Sequence, residues 1–148
     1  IVHIRNHNRN NEGEILQSES FDGGKKWSTP HAIGVWGLPS HLLRLKDGRL
    51  LMSYGHRRPP LGNQARISKD QGFTWSQAIT ISNDGPSSDL GYPSTVELDD
   101  GSLLTVWYEV MTADRPNEIP PENRLDRLTA LASPSSAAVL RQAHWSLS

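Results

Sequence analysis

Several residue types and patterns that define whole classes of protein are missing from this chain of 148 residues. The absence of cysteine excludes disulfides, thiolate catalysis and cysteine-based zinc sites. Lysines and arginines (15) nearly balance aspartates and glutamates (16), so the net charge of −1 favours neither nucleic acid nor an anionic membrane as a partner. No apolar run approaches the roughly 18 residues of a membrane-spanning helix, so we predict no membrane span.

Glycine, proline and tryptophan are well represented instead, with 12, 10 and 5 residues respectively. Glycine and proline are typical of tight turns, so this composition indicates a turn-rich β protein. The length suits one ordinary domain or part of a larger one. No signal peptide is visible, but the chain begins at Ile1 without a methionine, which leaves the cellular compartment open.

The sequence contains internal repeats. The octets SFDGGKKW (20–27) and SKDQGFTW (68–75) share serine, aspartate, glycine and tryptophan at the same offsets. A longer segment, PSHLLRLKDGRLLMSY (39–54), aligns with PSTVELDDGSLLTVWY (93–108), and in both an Asp-Gly pair between apolar runs predicts a hairpin. The repeats predict a four-stranded unit of about 50 residues, which is the size of a propeller blade.

The number of such units predicts an incomplete, all-β propeller of two and a half to three antiparallel blades. Residues 1–35 would form the outer half of a blade with the first octet, and residues 36–82 a full blade with the second. Residues 83–148 would form a degenerate last blade without an octet, carrying a long loop at 112–136. Because so few blades cannot close a ring, we expect a fragment whose open sheet edges are covered by missing blades or by self-association.

The octets are interpreted as scaffold, with a calcium or catalytic role as the alternative. Each aspartate can accept hydrogen bonds from its own turn, each glycine allows the turn conformation, and each tryptophan can fold back on the blade edge. Calcium takes roughly six to eight oxygen ligands, more than one octet offers. The scaffold residues are Ser20, Asp22, Gly24 and Trp27 in the first octet, and Ser68, Asp70, Gly72 and Trp75 in the second.

Blade topology places the octets and the Asp-Gly turns on one face. The opposite face receives the connections between the second and third strands and between successive blades, so a ligand site is expected there. The polar and aromatic residues of these connections are Trp36, His41, His56, Arg57, Arg58, Asp84, Asp89, Tyr92 and Asp114.

The octet pattern S-x-D-x-G-x-x-W in a four-stranded unit resembles the Asp-box, or BNR repeat, of the sialidase (neuraminidase) superfamily. DLGYPSTVELDDGSLLTVWYE (89–109) is similar to the sialidase stretch in which a nucleophilic tyrosine opens a strand. HLLRLKDGRLLMSYGHRRPPLG (41–62) is similar to the preceding blade of bacterial exo-sialidase-like proteins. The resemblance implies the C-terminal part of a six-bladed propeller, and a secreted or periplasmic location.

The resemblance also implies an exo-glycosidase that hydrolyses a terminal sugar, such as sialic acid, from a glycan and needs no cofactor. Tyr92 matches the nucleophile, and Arg57 or Arg58 matches an arginine that binds the substrate carboxylate. The nearest substitutes for a second arginine are Arg5 and Arg9, and neither has the family's spacing. The family's first arginine, acid/base aspartate and activating glutamate have no counterpart here, so a non-catalytic carbohydrate-binding or protein-binding Asp-box propeller is the alternative.

Each candidate residue also has a structural interpretation that the sequence leaves open. Tyr92, His41 and Trp36 either contact a sugar or pack in the fold. Arg57 and Arg58 either bind substrate or lie on a solvated loop with His56. Asp89 either caps the turn before Tyr92 or contacts the ligand. No metal site is predicted, because the six histidines include no pair spaced four apart on a helix with a carboxylate.

Overall fold

The computed structural model describes residues 1–7, 12–112 and 136–147. Arg9, Asp114 and the interior of the loop predicted at 112–136 lie outside the described residues. Within the described ranges the chain is entirely β, and no helix there is long and apolar enough to cross a membrane. The strands are β1 Val2–Ile4, β2 Glu14–Ser18, β3 His31–Trp36, β4 Ser40–Arg44, β5 Leu50–His56, β6 Gly62–Ser68, β7 Ile79–Ser82, β8 Leu90–Glu97, β9 Leu103–Thr112 and β10 Ser136–Trp145.

These strands form three antiparallel sheets, in the orders β1-β2-β3, β4-β5-β6-β7 and β10-β9-β8. The middle sheet has the four strands that the repeat predicted, and the all-β fold of partial propeller blades is confirmed. The first sheet contains β1 in addition to the two strands that flank the first octet. In the third sheet, β10 pairs with β9 over its whole length, from Ser136 opposite Thr112 to Trp145 opposite Leu103.

The core lies between the sheets, and β5 contributes to it on both faces. Leu51 belongs to a cluster that reaches Leu103 of the third sheet. Met52 belongs to a second cluster that reaches Ile15 of the first sheet. Because neighbouring residues of a strand point to opposite faces, a continuously apolar strand such as β5 can pack against a neighbour on each side. This packing holds the connections of all three sheets at one end of the assembly.

Both octets form self-contained turns. In the second, Asp70 accepts hydrogen bonds from the Thr74 amide (2.8 Å) and hydroxyl (2.5 Å), while Ser68 accepts from the Gly72 amide (2.7 Å). In the first, Asp22 accepts from two successive amides, those of Lys25 and Lys26, each at 2.9 Å. These bonds use both carboxylate oxygens of Asp70 and the Oδ1 atom of Asp22, and they all stay within the turns.

The second octet also connects two sheets. The buried Gln17 side chain on β2 donates to the Gly72 carbonyl at 3.0 Å and accepts a longer bond from the Trp75 indole at 3.4 Å. His3 on β1 packs edge-on against Trp75, with ring centroids 5.6 Å apart. Trp27 of the first octet donates to its own turn, at the Gly24 carbonyl, and stays 46% exposed. The octets therefore share a local geometry, and only the second is packed against a neighbouring sheet.

Acid is expected to destabilise the fold through the octet aspartates. Hydrogen bonds from the Thr74 hydroxyl and amide lower the pKa of Asp70 below its ordinary 3.8, and backbone bonds, led by that of Lys26, lower the pKa of Asp22. A carboxyl whose pKa is lowered by folding stabilises the protein above its unfolded pKa, and this contribution is lost as the pH falls through the folded value. Thermal unfolding followed from pH 7 to pH 2 should therefore show the Tm falling below about pH 4.

The double variant Asp22→Asn/Asp70→Asn should have a lower Tm at pH 7 and a shallower decline in acid. Asp99→Asn is the matched control, because that carboxylate is fully exposed and forms only a long ion pair with Lys46, at 3.4 Å. Parallel Tm curves for the wild type and the double variant would contradict the prediction.

Candidate functional site

An open cleft of about 760 Å³ lies at the end of the sheets opposite the octets. Its walls come from the segments that follow β1 and β5, the start of β2, the C-terminal end of β3, and the connection that leads into β8. Three arginines, Arg5, Arg57 and Arg58, line it together with two glutamates, Glu12 and Glu14. The other lining residues are His7, Gly13, Gly34, Trp36, Leu38 and Ser88.

Tyr92 is connected to this cleft by a hydrogen bond with Arg5. The Arg5 Nη1 atom donates to the Tyr92 hydroxyl at 2.8 Å, and the guanidinium carbon lies 5.8 Å from the centre of the ring. The two residues are 87 positions apart: Arg5 directly follows β1 of the first sheet, and Tyr92 lies on β8 of the third. The tyrosine ring is 53% exposed, so a ligand in the cleft could reach its hydroxyl.

A β-bulge presents Tyr92. The pairing of β8 with β9 passes from Gly91 opposite Tyr108 to Ser94 opposite Val106, so three steps on β8 match two on β9. Tyr92 lies within the bulge and has a φ of 52°, in the left-handed region that residues other than glycine seldom adopt. Bulges beside active sites turn a side chain away from the ladder, and strained backbone is concentrated at functional sites. Tyr92 has both features.

The two neighbouring arginines are held in different ways. Arg57 donates from Nε to the Leu90 carbonyl at 2.9 Å, which fixes it beside the strand that carries Tyr92. Arg58 stacks on Trp36, with its guanidinium carbon 3.8 Å from the ring centre. Stacking on an aromatic face suits the planar guanidinium. Within the described residues no carboxylate pairs with the edge of this group, so it can pair with an anion.

Trp36 is enclosed by protein groups. Its indole nitrogen donates to the Glu12 carbonyl at 2.8 Å, and His56 packs edge-on at 5.9 Å. Gly13 approaches so closely that a Cβ there would lie 2.5 Å from the indole. Because Arg58 covers the ring, Trp36 supports that arginine and does not offer a bare face to a sugar.

Three of the other candidates contact protein groups away from the cleft wall. His41 lies between β4 and β8, where the Thr95 amide points at its Nδ1 over 3.4 Å and burial lowers its pKa. Asp84 forms two bonds of 3.0 Å with Arg141. Asp89 accepts a hydrogen bond from the Tyr108 hydroxyl. The structure thus brings Arg57, Arg58, Trp36 and His56 close together. Tyr92 is connected to this group by its hydrogen bond with Arg5, and His41 lies apart from it.

From its spacing in the sequence, Arg5 was only a substitute for the family's second arginine. The family resemblance predicts that arginine immediately before β2, the strand that enters the first octet. Arg5 instead directly follows β1, just as Arg57 directly follows β5, and each of these strands precedes the octet-entering strand of its sheet. The long connection between β1 and β2 hides this equivalence in the sequence. An alignment of the residues that follow β1 and β5 would have revealed it. Among the described residues, no group of three or more histidines and carboxylates could hold a metal ion.

Comparisons with known proteins agree with this architecture. Residues 1–105 match the BNR repeat-like domain family. A crystal structure of a protein of unknown function from Dyadobacter fermentans DSM 18053 is similar, at 31% identity and a TM-score of 0.62 over 88% of this chain. The chain spans 31% of that protein's length. The search of curated proteins found no match. Since the family match covers most of the chain, this protein belongs to the BNR repeat-like domain family, the sialidase-type Asp-box proteins that its octets indicated.

Proposed function

We propose that this chain is part of a sialidase-like exo-glycosidase that removes a terminal acidic sugar, with Tyr92 as its nucleophile. The observation that supports this best is the 2.8 Å hydrogen bond from Arg5 to the Tyr92 hydroxyl, at a cleft that Arg57 and Arg58 also line. The exposed, strained tyrosine provides a nucleophile, and the cationic groups beside it provide a subsite for an anion.

The chemistry follows from the charge of the substrate. A sugar that carries a carboxylate at its anomeric carbon would repel an aspartate or glutamate nucleophile, whereas tyrosine approaches it as a neutral phenol. The arginines would pair with the substrate carboxylate, and Arg57, fixed on the Leu90 carbonyl, would lose little side-chain freedom in doing so. Glu12 or Glu14, on the same cleft, would take the phenol proton. Attack by the Tyr92 oxygen on the anomeric carbon forms the glycosyl-tyrosine as the bond to the aglycone breaks, and the aglycone oxygen takes up a proton from water. Water then displaces Tyr92 from the sugar, so that the two displacements give retention of configuration.

A specific observation favours a second candidate, a glycan-binding module without turnover. Among the described residues, no carboxylate is hydrogen-bonded to the Tyr92 hydroxyl, whose partner is the cationic Arg5. A protein-binding scaffold has less support, because it gives no reason for three arginines to line one cleft.

Hydrolysis of fluorogenic glycosides separates the two candidates. Protein expressed from its complete gene should release the fluorophore from an α-sialoside and not from the matching neutral hexosides. Arg57→Gln should raise KM by about tenfold or more, because a charged hydrogen bond to the substrate contributes about 1.5–3 kcal/mol. Arg49→Gln is the control, since that arginine pairs with Asp47 in a hairpin turn of the octet face. Binding of the free acidic sugar without release of fluorophore would establish the binding module instead.

A further inference from the structure

We infer that Tyr108, held by Asp89, is a positioning residue that fixes the ring of Tyr92. This inference deepens the proposed function, and it rests on that function where turnover is measured. The two tyrosine rings are in contact, with centroids 5.7 Å apart and planes tilted by 44°. Tilted aromatic pairs at this separation attract each other, so the orientation of one ring restricts the other.

Tyr108 is well placed to act on a residue within the bulge. It lies on β9 directly opposite Gly91, the residue before Tyr92. Gly91 has a φ of 123°, and a Cβ there would first meet the Gly55 Cα, at 3.3 Å. Tyr92 itself has no cross-strand partner in the register. The contact with Tyr108 therefore supplies the lateral support that the ladder does not give to Tyr92.

Asp89 holds the tyrosine ring from the other end. Its carboxylate accepts the hydrogen bond from the Tyr108 hydroxyl, and its backbone carbonyl accepts from the Val110 amide at 2.8 Å. Its own amide donates to the Ser87 hydroxyl at 3.3 Å. Two residues of β9, Tyr108 and Val110, thus donate hydrogen bonds to Asp89, which lies three positions before Tyr92. The segment that leads into the bulge is fixed by its side chain and by its backbone.

The two phenols have different hydrogen-bonding environments. Burial and the hydrogen bond to Asp89 raise the pKa of Tyr108 to about 12, against a smaller opposing effect of Arg57. Tyr108 therefore keeps its proton at neutral pH and continues to donate to Asp89. Tyr92 accepts a hydrogen bond from Arg5 and has no carboxylate partner among the described residues. Tyr108 is thus suited to hold its neighbour and not to react, while Tyr92 is about half exposed and bonds to Arg5, a residue of the cleft wall.

The test uses protein from the complete gene labelled with 3-fluorotyrosine, in which the ¹⁹F resonance lost in Tyr92→Phe identifies Tyr92. Tyr108→Phe keeps the ring and its packing but loses the bond to Asp89, and Asp89→Ala loses the acceptor. Both should shift the Tyr92 resonance and lower kcat on the fluorogenic sialoside by about ten- to a hundredfold, with KM changed less than about twofold. Asp89→Asn retains an acceptor oxygen and should restore most of the wild-type behaviour.

The control is Ser102→Ala, which removes hydrogen bonds to Asp100 and His144 at the far end of the same pair of strands. An unchanged Tyr92 resonance and kcat in both Tyr108→Phe and Asp89→Ala would overturn the inference. An equal shift in Ser102→Ala would also overturn it, because the effect would then be a general loosening of the sheet. If the wild type releases no sugar, the proposed function fails, and the ¹⁹F resonance alone decides the positioning role.

Discussion

Replacing Tyr92 by phenylalanine should abolish release of the sugar from a fluorogenic sialoside, with kcat falling by about a thousandfold or more. The ring, its contact with Tyr108 and the bulge would persist, while the atom that attacks the anomeric carbon would be gone. Because the hydroxyl is exposed and lies at the surface, its loss should change the Tm little. Affinity for the free acidic sugar should change only modestly, since Arg57 and Arg58 still line the cleft.

Steady-state kinetics, thermal unfolding and calorimetric titration with the free sugar check these three expectations together. The matched control is Ser88→Ala, which alters a residue of the cleft wall and leaves the nucleophile in place. Undiminished release by Tyr92→Phe would refute the tyrosine mechanism. Loss of sugar affinity and activity together would show that the hydroxyl serves mainly in binding.

Replacing Arg141 by methionine should cost the fold about 3 kcal/mol or more in free energy of unfolding. Glu109 has no exposed surface, and its two oxygens receive bonds from the Trp107 indole at 2.7 Å and from Arg141 at 3.0 Å. Removing the guanidinium would leave that carboxylate buried with one neutral donor. It would also remove the two bonds with Asp84 that tie the connection before β8 to β10.

Chemical denaturation of the protein from its complete gene measures this cost. Arg49→Met is the matched control, because Arg49 also pairs with a carboxylate, that of Asp47, but at a more exposed site where an ion pair contributes about 1 kcal/mol or less. The double variant Glu109→Gln/Arg141→Met should recover part of the loss, since it removes the charge that Arg141→Met leaves behind. Equal losses for Arg141→Met and Arg49→Met would contradict the prediction.

Much of the fold follows from local patterns that are visible in the sequence. Asp47-Gly48 and Asp100-Gly101 specify hairpins because glycine accepts positive φ at low cost, and both glycines have it, at 89° and 82°. The octets are equally local, since Asp70 and Ser68 bond within their own turn. Such features depend on residues a few positions apart, so their pattern predicts them without knowledge of the remaining chain.

The candidate site could be predicted only in outline. Topology and the family resemblance predicted that Arg57, Arg58 and Trp36 would share one end of the sheets, and all three line one cleft there. They did not predict that Trp36 would be covered by Arg58, or that Asp84 would be bound to Arg141. Both contacts depend on side-chain directions and on the length of the intervening connections, which a spacing argument does not measure.

The sequence alone therefore determined the blade repeat, the hairpin turns and the local geometry of the octets. The tertiary structure decided which distant residues meet: Arg5 with Tyr92 across 87 positions, Tyr108 with Asp89, and Arg141 with Glu109 and Asp84. The physical reason is the range of the interactions. Turns and strands are set by bonds between near neighbours, whereas the site is assembled where three sheets pack, and only that packing brings distant charges and rings together.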